Sequence, residues 1–189
     1  MPLLQLLRAD HAPALLAFER ENRAYFAAHV PDRGDAYFED FASRHQALLD
    51  EQGTGGILFH LLVGDGGEIL GRFNLVDVAD GGAELGYRVA EKAAGRGHAT
   101  RGVREVCRLA AEEYGLRRLS ATAALDNVPS RAVLARVGFG AVGGVTLDGG
   151  LRGIAYELDL GALVPSPSPS PSPVLLGGSF GRERSGTSS

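Results

Sequence analysis

The stretch Ala83–Ala110 most constrains how this chain can fold, because its hydrophobic period changes once along its length. Residues 83–90 alternate apolar side chains with others, the period of two that is typical of a strand. From Ala99 onward apolar residues recur every three or four positions, which predicts an amphipathic helix. Gly95 and Gly97 stand between the two patterns. The stretch therefore predicts a strand, a glycine loop and a helix, in that order.

Two glycines directly before a helix favour an anion-binding loop. Glycine lets the backbone turn tightly, and the free N–H groups of a helix start carry the positive end of the helix dipole. A phosphate or pyrophosphate is the natural ligand of such a loop, although the same glycines also fit a simple tight turn. The spacing excludes a P-loop, because no Lys follows at the required place. It also excludes the dinucleotide fingerprint, because the glycine after Gly97 is Gly102, inside the helix.

A second motif follows the next predicted strand, where Asn127-Val-Pro-Ser130 opens a short helix that ends at Gly138-Phe139. The order strand, Lys92-x-x-Gly95-x-Gly97, helix, strand, Asn127-x-x-Ser130 resembles the GCN5-related N-acetyltransferases. Within that family, Glu84-Leu-Gly-Tyr87 and the segment 127–139 are similar to the branch that acetylates the N-termini of ribosomal proteins. The resemblance covers most of the chain, from residue 3 to residue 160.

The whole pattern predicts a mixed α/β fold in one domain, residues 1–161. We expect a central, mostly antiparallel sheet of six to seven strands with about four helices. Strands at 83–90 and 118–125 flank a helix, so the crossover rule makes them parallel neighbours, and the resemblance implies that this pair splays apart. Residues 162–189 combine strict Pro-Ser alternation with a Gly- and Ser-rich end, which predicts a disordered tail. That tail is either a dispensable extension or a partner-binding segment.

Composition and charge narrow the classes of function. The net charge of −4 argues against binding nucleic acid through a basic surface. Because the chain has neither a long apolar run nor a basic leader region, we expect no membrane span and no signal peptide. A cytoplasmic monomer or homodimer fits. The five histidines lack metal-ligand spacing, so no metal is expected, and Cys107 on the apolar helix face is predicted to be a buried thiol.

The resemblance implies that acetyl-CoA is the acetyl donor and that its phosphates lie against the glycine loop. Val89 and Ala90 would offer unpaired backbone groups to the pantetheine arm, which would add to the sheet like an extra strand. The residues implied to bind acetyl-CoA are Val89, Ala90, Gly95, Arg96, Gly97, His98, Ala99, Thr100, Asn127, Ser130 and Arg131.

The resemblance also implies the reaction, which is direct transfer of acetyl to a primary amine in a ternary complex. The amine belongs either to a protein N-terminus, such as that of a ribosomal protein, or to a small molecule. Glu84 is the predicted base and Tyr87 the second candidate for proton transfer; alternatively, the first is a surface charge and the second a core aromatic. The family's tyrosine acid is replaced by Leu134, so Ser130 becomes the candidate for a hydrogen bond to the sulfur.

Two alternatives remain open from the sequence. Asn127 and Ser130 also fit ordinary helix-capping chemistry. A non-catalytic acyl-CoA-binding module would carry the same cleft without a competent base. The first two predicted helices, near residues 10–28 and 35–52, are expected to wall the amine's side of the cleft.

Overall fold

The computed structural model describes residues 1–162, so the predicted tail beyond residue 162 lies outside the described residues. The strands are β1 (Leu3–Leu6), β2 (Leu58–Val63), β3 (Ile69–Ala79), β4 (Gly82–Val89), β5 (Arg118–Ala124), β6 (Gly140–Thr146) and β7 (Arg152–Asp159). The helices are α1 (Ala12–Glu21), α2 (Arg23–Ala27), α3 (Asp35–Glu39), α4 (Phe41–Thr54), α5 (His98–Glu112) and α6 (Val128–Val137). None of these helices is long and apolar enough to cross a membrane.

All seven strands form one sheet in the order β1-β2-β3-β4-β5-β7-β6. Every neighbouring pair is antiparallel except β4 and β5, which are parallel. The predicted fold class is therefore confirmed. The parallel pair also follows from the chain itself, because a helix crossover joins two strands in the same direction.

The N-terminal region contains four helices where the sequence pattern predicts two. The breaks fall at Asn22 and Asp40, whose backbones leave helical geometry. The Asn22 side chain donates to the Phe18 carbonyl and accepts the N–H of Glu91. Such side-chain bonds to the backbone compete with helix continuation. The first break therefore depends on a partner far along the chain, which a local pattern does not reveal.

The parallel strands pair only at their starts. Residues 82–84 of β4 face residues 118–120 of β5, and no later pair follows. Beyond that point β4 stays paired with β3 as far as Val89, while β5 stays paired with β7 as far as Ala124. The two strands thus diverge, as predicted, and leave an opening in the middle of the sheet.

Phe73 on β3 organises the sheet face beneath α5. It is fully buried, and a Cβ placed on Gly102 of α5 would lie 2.1 Å from its ring. The Tyr87 ring stacks on Phe73 with centroids 5.9 Å apart and planes 14° from parallel. Cys107 is buried in the same helix, as predicted. The close approach of α5 therefore fixes the position of a tyrosine beside the opening.

Candidate active site

A cleft of about 460 Å³ opens where β4 and β5 diverge. Its walls come from the end of β4, the glycine loop with the first turn of α5, one side of α6, and the region of α2. It is lined by Tyr25, Phe26, His29, Val30, Tyr87, Arg88, Val89, Ala93, Ala94, Gly95, Gly97, His98, Ala99, Thr100, Asn127, Val128, Pro129, Ser130, Ala132, Val133 and Arg136.

The glycine loop has the geometry that the sequence pattern predicts. Gly95 and Gly97 have φ angles of 70° and 78°, in the left-handed region that favours glycine. Gly97 is the N-cap of α5, and no side chain caps that end. The first residues of α5 line the cleft, so the free N–H groups of a helix start lie at its wall. Arg96 is exposed and lies outside the lining.

The open edge of β4 presents the backbone of Tyr87 and Val89. In an antiparallel ladder only every second residue bonds to the neighbouring strand, and the N–H of Ala90 donates to the Leu70 carbonyl on the β3 side. Tyr87 and Val89 therefore direct their backbone groups towards the side from which β5 has diverged. The Ala90 carbonyl accepts from Ala93. Both polar backbone groups of Ala90 are thus used within the chain, and Val89 is better placed for a ligand.

The structure brings Tyr87 and Ser130 into contact across the cleft. Their hydroxyl oxygens are 2.9 Å apart, and the Tyr87 hydroxyl also lies 3.2 Å from the Ser130 carbonyl. Burial raises the pKa of Tyr87, with a smaller contribution from Tyr156, while the hydrogen bond to Ser130 opposes the rise. Tyr87 is therefore an un-ionised O–H donor at neutral pH.

Asn127 positions Ser130 by capping α6. Its side-chain oxygen accepts the N–H of Ser130 at 3.2 Å, which is the helix-capping role that the sequence allows. Because Asn127 also lines the cleft, capping does not remove it from a ligand's reach. Arg131 instead donates to the Leu125 carbonyl and does not line the cleft.

Glu84 lies apart from the Tyr87–Ser130 pair. Its side chain lines a different hollow, formed with residues such as Asp77, Arg118 and Glu157. Since side chains alternate along a strand, Glu84 and Tyr87 point to opposite faces of the sheet. The structure therefore does not bring the predicted base together with the other predicted catalytic residues.

Sequence reasoning missed the charge of the cleft. Within the described residues its lining contains Arg88, Arg136, His29 and His98 but no aspartate or glutamate. Arg88 follows Tyr87 directly, and a charged side chain within the central strand was the available signal. Such a lining suits phosphate groups and disfavours a charged ammonium. In residues 1–162 no three His, Cys, Asp or Glu side chains are grouped as metal ligands would be.

A sheet that splays beside a glycine loop at a helix start is the arrangement that the resemblance to acetyltransferases implies. The model of the Acetyltransferase (GNAT) domain family matches residues 3–140, and the chain belongs to this family. The family predicted from the two motifs is therefore confirmed. Its members are acyltransferases.

Two relatives agree with the predicted branch, and a third, a solved structure, agrees in fold. YdaF of Bacillus subtilis strain 168, named as a candidate ribosomal N-acetyltransferase, is 31% identical over 125 residues, which are 64% of this chain and 65% of that protein. The ribosomal-protein-S5-alanine acetyltransferase of Vibrio fischeri has a TM-score of 0.79 at 19% identity, over 87% of this chain and 100% of that one. RimJ of Mycobacterium smegmatis, solved with a CoA disulfide, has a TM-score of 0.77 at 25% identity, over 85% and 82%.

Proposed function

We propose that this protein transfers an acetyl group from acetyl-CoA to a primary amine, and that the amine is the N-terminus of a polypeptide. The main support for this function is that one cleft combines the glycine loop, the open edge of β4 and the Tyr87–Ser130 pair. Relatives support the donor and the acceptor class, because one binds a CoA disulfide and another is named for the alanine of ribosomal protein S5. A ribosomal-protein N-terminus is the first acceptor to test, with small amines as the other class.

The acetyl donor would bind by two sets of backbone groups. The N–H groups at the start of α5 would hold its phosphates, because they lie at the wall of the cleft and carry the positive end of the helix dipole. The groups of Tyr87 and Val89 would bond to the amides of the pantetheine arm, which would extend the sheet as a strand does. The free N–H of Tyr87 would then polarise the thioester oxygen.

The reaction would need no covalent enzyme intermediate. The amine nitrogen attacks the thioester carbonyl carbon, a C–N bond forms, and the C–S bond breaks with its electron pair left on sulfur. Ser130 donates its proton to that sulfur, and Tyr87, at 2.9 Å, donates its own proton to Ser130. The proton lost by the amine leaves through water and restores Tyr87. Tyr87 thereby supplies the acid that the family's tyrosine at the position of Leu134 would provide.

Deprotonation of the amine would depend on the charge of the cleft. Nearby positive groups lower the pKa of an ammonium and so favour its uncharged, nucleophilic form. The two arginines of the lining, Arg88 and Arg136, supply such groups. Glu84 stays the predicted base; because it lines a separate hollow, it would take the amine's proton through water, and the proton would then return through water to Tyr87. A cytoplasmic location and a monomeric or homodimeric state also stay predictions.

The test is to follow thiol release from acetyl-CoA with peptides that begin in alanine or serine, and to locate the added acetyl by mass spectrometry. We expect acetylation at the α-amine. Tyr87→Phe and Ser130→Ala should lower kcat by about 100-fold or more without weakening acetyl-CoA binding. Ser43→Ala, an exposed position on α4, is the matched control and should retain full activity.

One observation favours a second function, that of a non-catalytic acyl-CoA-binding module. No carboxylate lines the cleft within the described residues, so a competent base has to come from outside the lining. Tight acetyl-CoA binding in a calorimetric titration, with no thiol release across the peptides and a panel of small amines, would establish the binding module. Acetylated peptide would exclude it.

A further inference from the structure

Arg88 presents unused hydrogen-bond donors to the cleft. Its side chain is 22% exposed and lines the opening, and within residues 1–162 its guanidinium makes no hydrogen bond. It lies over the Phe26 ring at 5.2 Å. A cation over an aromatic face is held in place without spending its N–H groups. These donors therefore remain available to a ligand.

The charges around Arg88 are out of balance in favour of the cation. Glu19 is 2% exposed; its carboxylate bonds to Arg72 and lies 3.6 Å from Arg88. One buried carboxylate thus serves two guanidinium groups. Burial, followed by the charges of Arg33 and Arg72, lowers the pKa of Arg88 to about 10. A guanidinium in this position gains from a further anion.

Two carboxylates of the segment that follows α2 are already paired with another arginine. Asp32 and Asp35 both bond to the Arg23 guanidinium, at 2.6 and 2.7 Å. Together with Arg33, Arg72, Arg88 and Glu19, this group has four arginines against three carboxylates. It therefore carries an excess of one positive charge, although the whole chain has a net charge of −4.

Arg88 stands on the wall opposite the phosphate loop. It follows Tyr87 on β4, so the two side chains leave opposite faces of the sheet. Tyr87 contacts Ser130 of α6 and stacks beneath α5, whereas Arg88 contacts Phe26 of α2. The Arg88 wall is therefore distinct from the wall that contains Gly95, Gly97 and the start of α5.

We propose that Arg88 binds a carboxylate of the acceptor, so that the enzyme prefers polypeptide N-termini with an acidic side chain close to the amine. Each residue of an extended chain adds roughly 3.3 Å, so the carboxylate is tested at the second and at the third residue of the acceptor. A basic residue at the same place is repelled. This assignment rests on the proposed function, since it specifies the acceptor of the same reaction.

The test compares three peptides that begin in alanine and carry Glu, Gln or Lys at the second residue, and three more varied at the third. For wild type we expect kcat/KM for the better-placed Glu peptide to exceed that of its Gln partner by about 10- to 100-fold, as for a charge-assisted hydrogen bond. The Lys peptide should be the poorest. In Arg88→Gln the ratio of Glu to Gln should fall to about one.

Two further variants sharpen the comparison. Arg88→Lys keeps the charge without the forked donors and should retain part of the preference. Arg117→Gln, an exposed arginine outside the cleft, should keep the wild-type ratio. A wild-type ratio near one at both positions overturns the proposal, even where Arg88→Gln does not fold.

Measuring the acetyl-CoA dissociation constant shows whether Arg88 binds a phosphate of the donor or a carboxylate of the acceptor. If Arg88→Gln binds acetyl-CoA tenfold or more weakly while the peptide ratio stays unchanged, Arg88 serves a phosphate of the donor and the proposal is wrong. If peptides are acetylated without regard to charge, the proposed function stands and the acidic preference falls. If no peptide is acetylated at all, the proposed function fails and the preference falls with it.

Discussion

Gly102 has no side chain, and this absence lets α5 pack closely against the sheet beneath the cleft. A Cβ there would lie 2.1 Å from the Phe73 ring, and Phe73 in turn supports the Tyr87 ring. We predict that Gly102→Ala destabilises the protein by about 1–3 kcal/mol through overpacking. It should also lower kcat, because the Tyr87 hydroxyl shifts relative to Ser130. Chemical denaturation and steady-state kinetics measure the two effects.

Gly53 provides the matched control for Gly102. It also lies in a helix, α4, but a Cβ there would meet nothing within 4 Å. Gly53→Ala should therefore stabilise the protein by up to about 1 kcal/mol, through helix propensity alone. Equal effects of the two substitutions would show that Phe73 does not limit the approach of α5.

His60 makes the stability of the native state depend on pH. Burial lowers its pKa, and the bond to the Phe73 carbonyl only partly opposes this. The unfolded chain therefore binds a proton more readily than the native state as pH falls below about 6.5. We predict that the free energy of unfolding decreases from pH 7 to pH 5, and that His60→Gln reduces this slope.

In His60→Gln, part of the pH dependence of the free energy of unfolding should remain because of His11. Burial lowers the pKa of His11 as well. Ser43→Ala, at an exposed position without an ionisable side chain, is the control and should leave the slope unchanged. Denaturation curves at several pH values give the measurement. An unchanged slope in His60→Gln would contradict the assignment.

At the scale of elements, one buried carboxylate joins α1 to the sheet. Glu19 pairs with Arg72 of β3 and Arg88 of β4. Removing its charge leaves two guanidinium groups without their anion, so we predict that Glu19→Gln costs about 3–5 kcal/mol. Glu21→Gln on the same helix is the control. Its carboxylate is exposed and 3.8 Å from Lys92, so urea denaturation should show a loss of no more than about 1 kcal/mol.

The sequence predicts most of the secondary-structure elements but not where the N-terminal helices break. The strands follow from alternation and glycine turns, and the crossover rule alone gives the parallel pair. The breaks at Asn22 and Asp40 were not predicted, because at least the first depends on a contact with Glu91. Ala90 is unsuited to bind the pantetheine arm because its backbone N–H faces β3. The sequence does not reveal which backbone groups face which neighbouring strand.

Some features of the candidate site could likewise be predicted from the sequence, and others could not. Gly95 and Gly97 were predictable because their backbone conformation needs glycine, and the contact of Tyr87 with Ser130 follows once β4 and α6 meet. Glu84 shares β4 with Tyr87, but strand alternation sends it to the other face and into a separate hollow. Arg88 acquires its character only from tertiary neighbours such as Glu19 and Phe26.

At the scale of the whole molecule, we propose that the opening between β4 and β5 binds acetyl-CoA with its phosphates at the start of α5. Gly97→Glu places a carboxylate in that loop, and Gly97→Gln is the matched neutral variant. Both carry the same strain from the positive φ angle at this position, and a Cβ there would meet nothing within 4 Å. Only charge distinguishes their effect on a phosphate.

The decisive measurement is thermal unfolding of wild type, Gly97→Gln and Gly97→Glu with and without acetyl-CoA. At about 100 times its dissociation constant the ligand should stabilise wild type by roughly 2.7 kcal/mol. Gly97→Gln should keep most of this gain, whereas folded Gly97→Glu should lose it. If acetyl-CoA does not stabilise wild type, or stabilises the Glu and Gln variants equally, the phosphates of the donor do not lie at the start of α5.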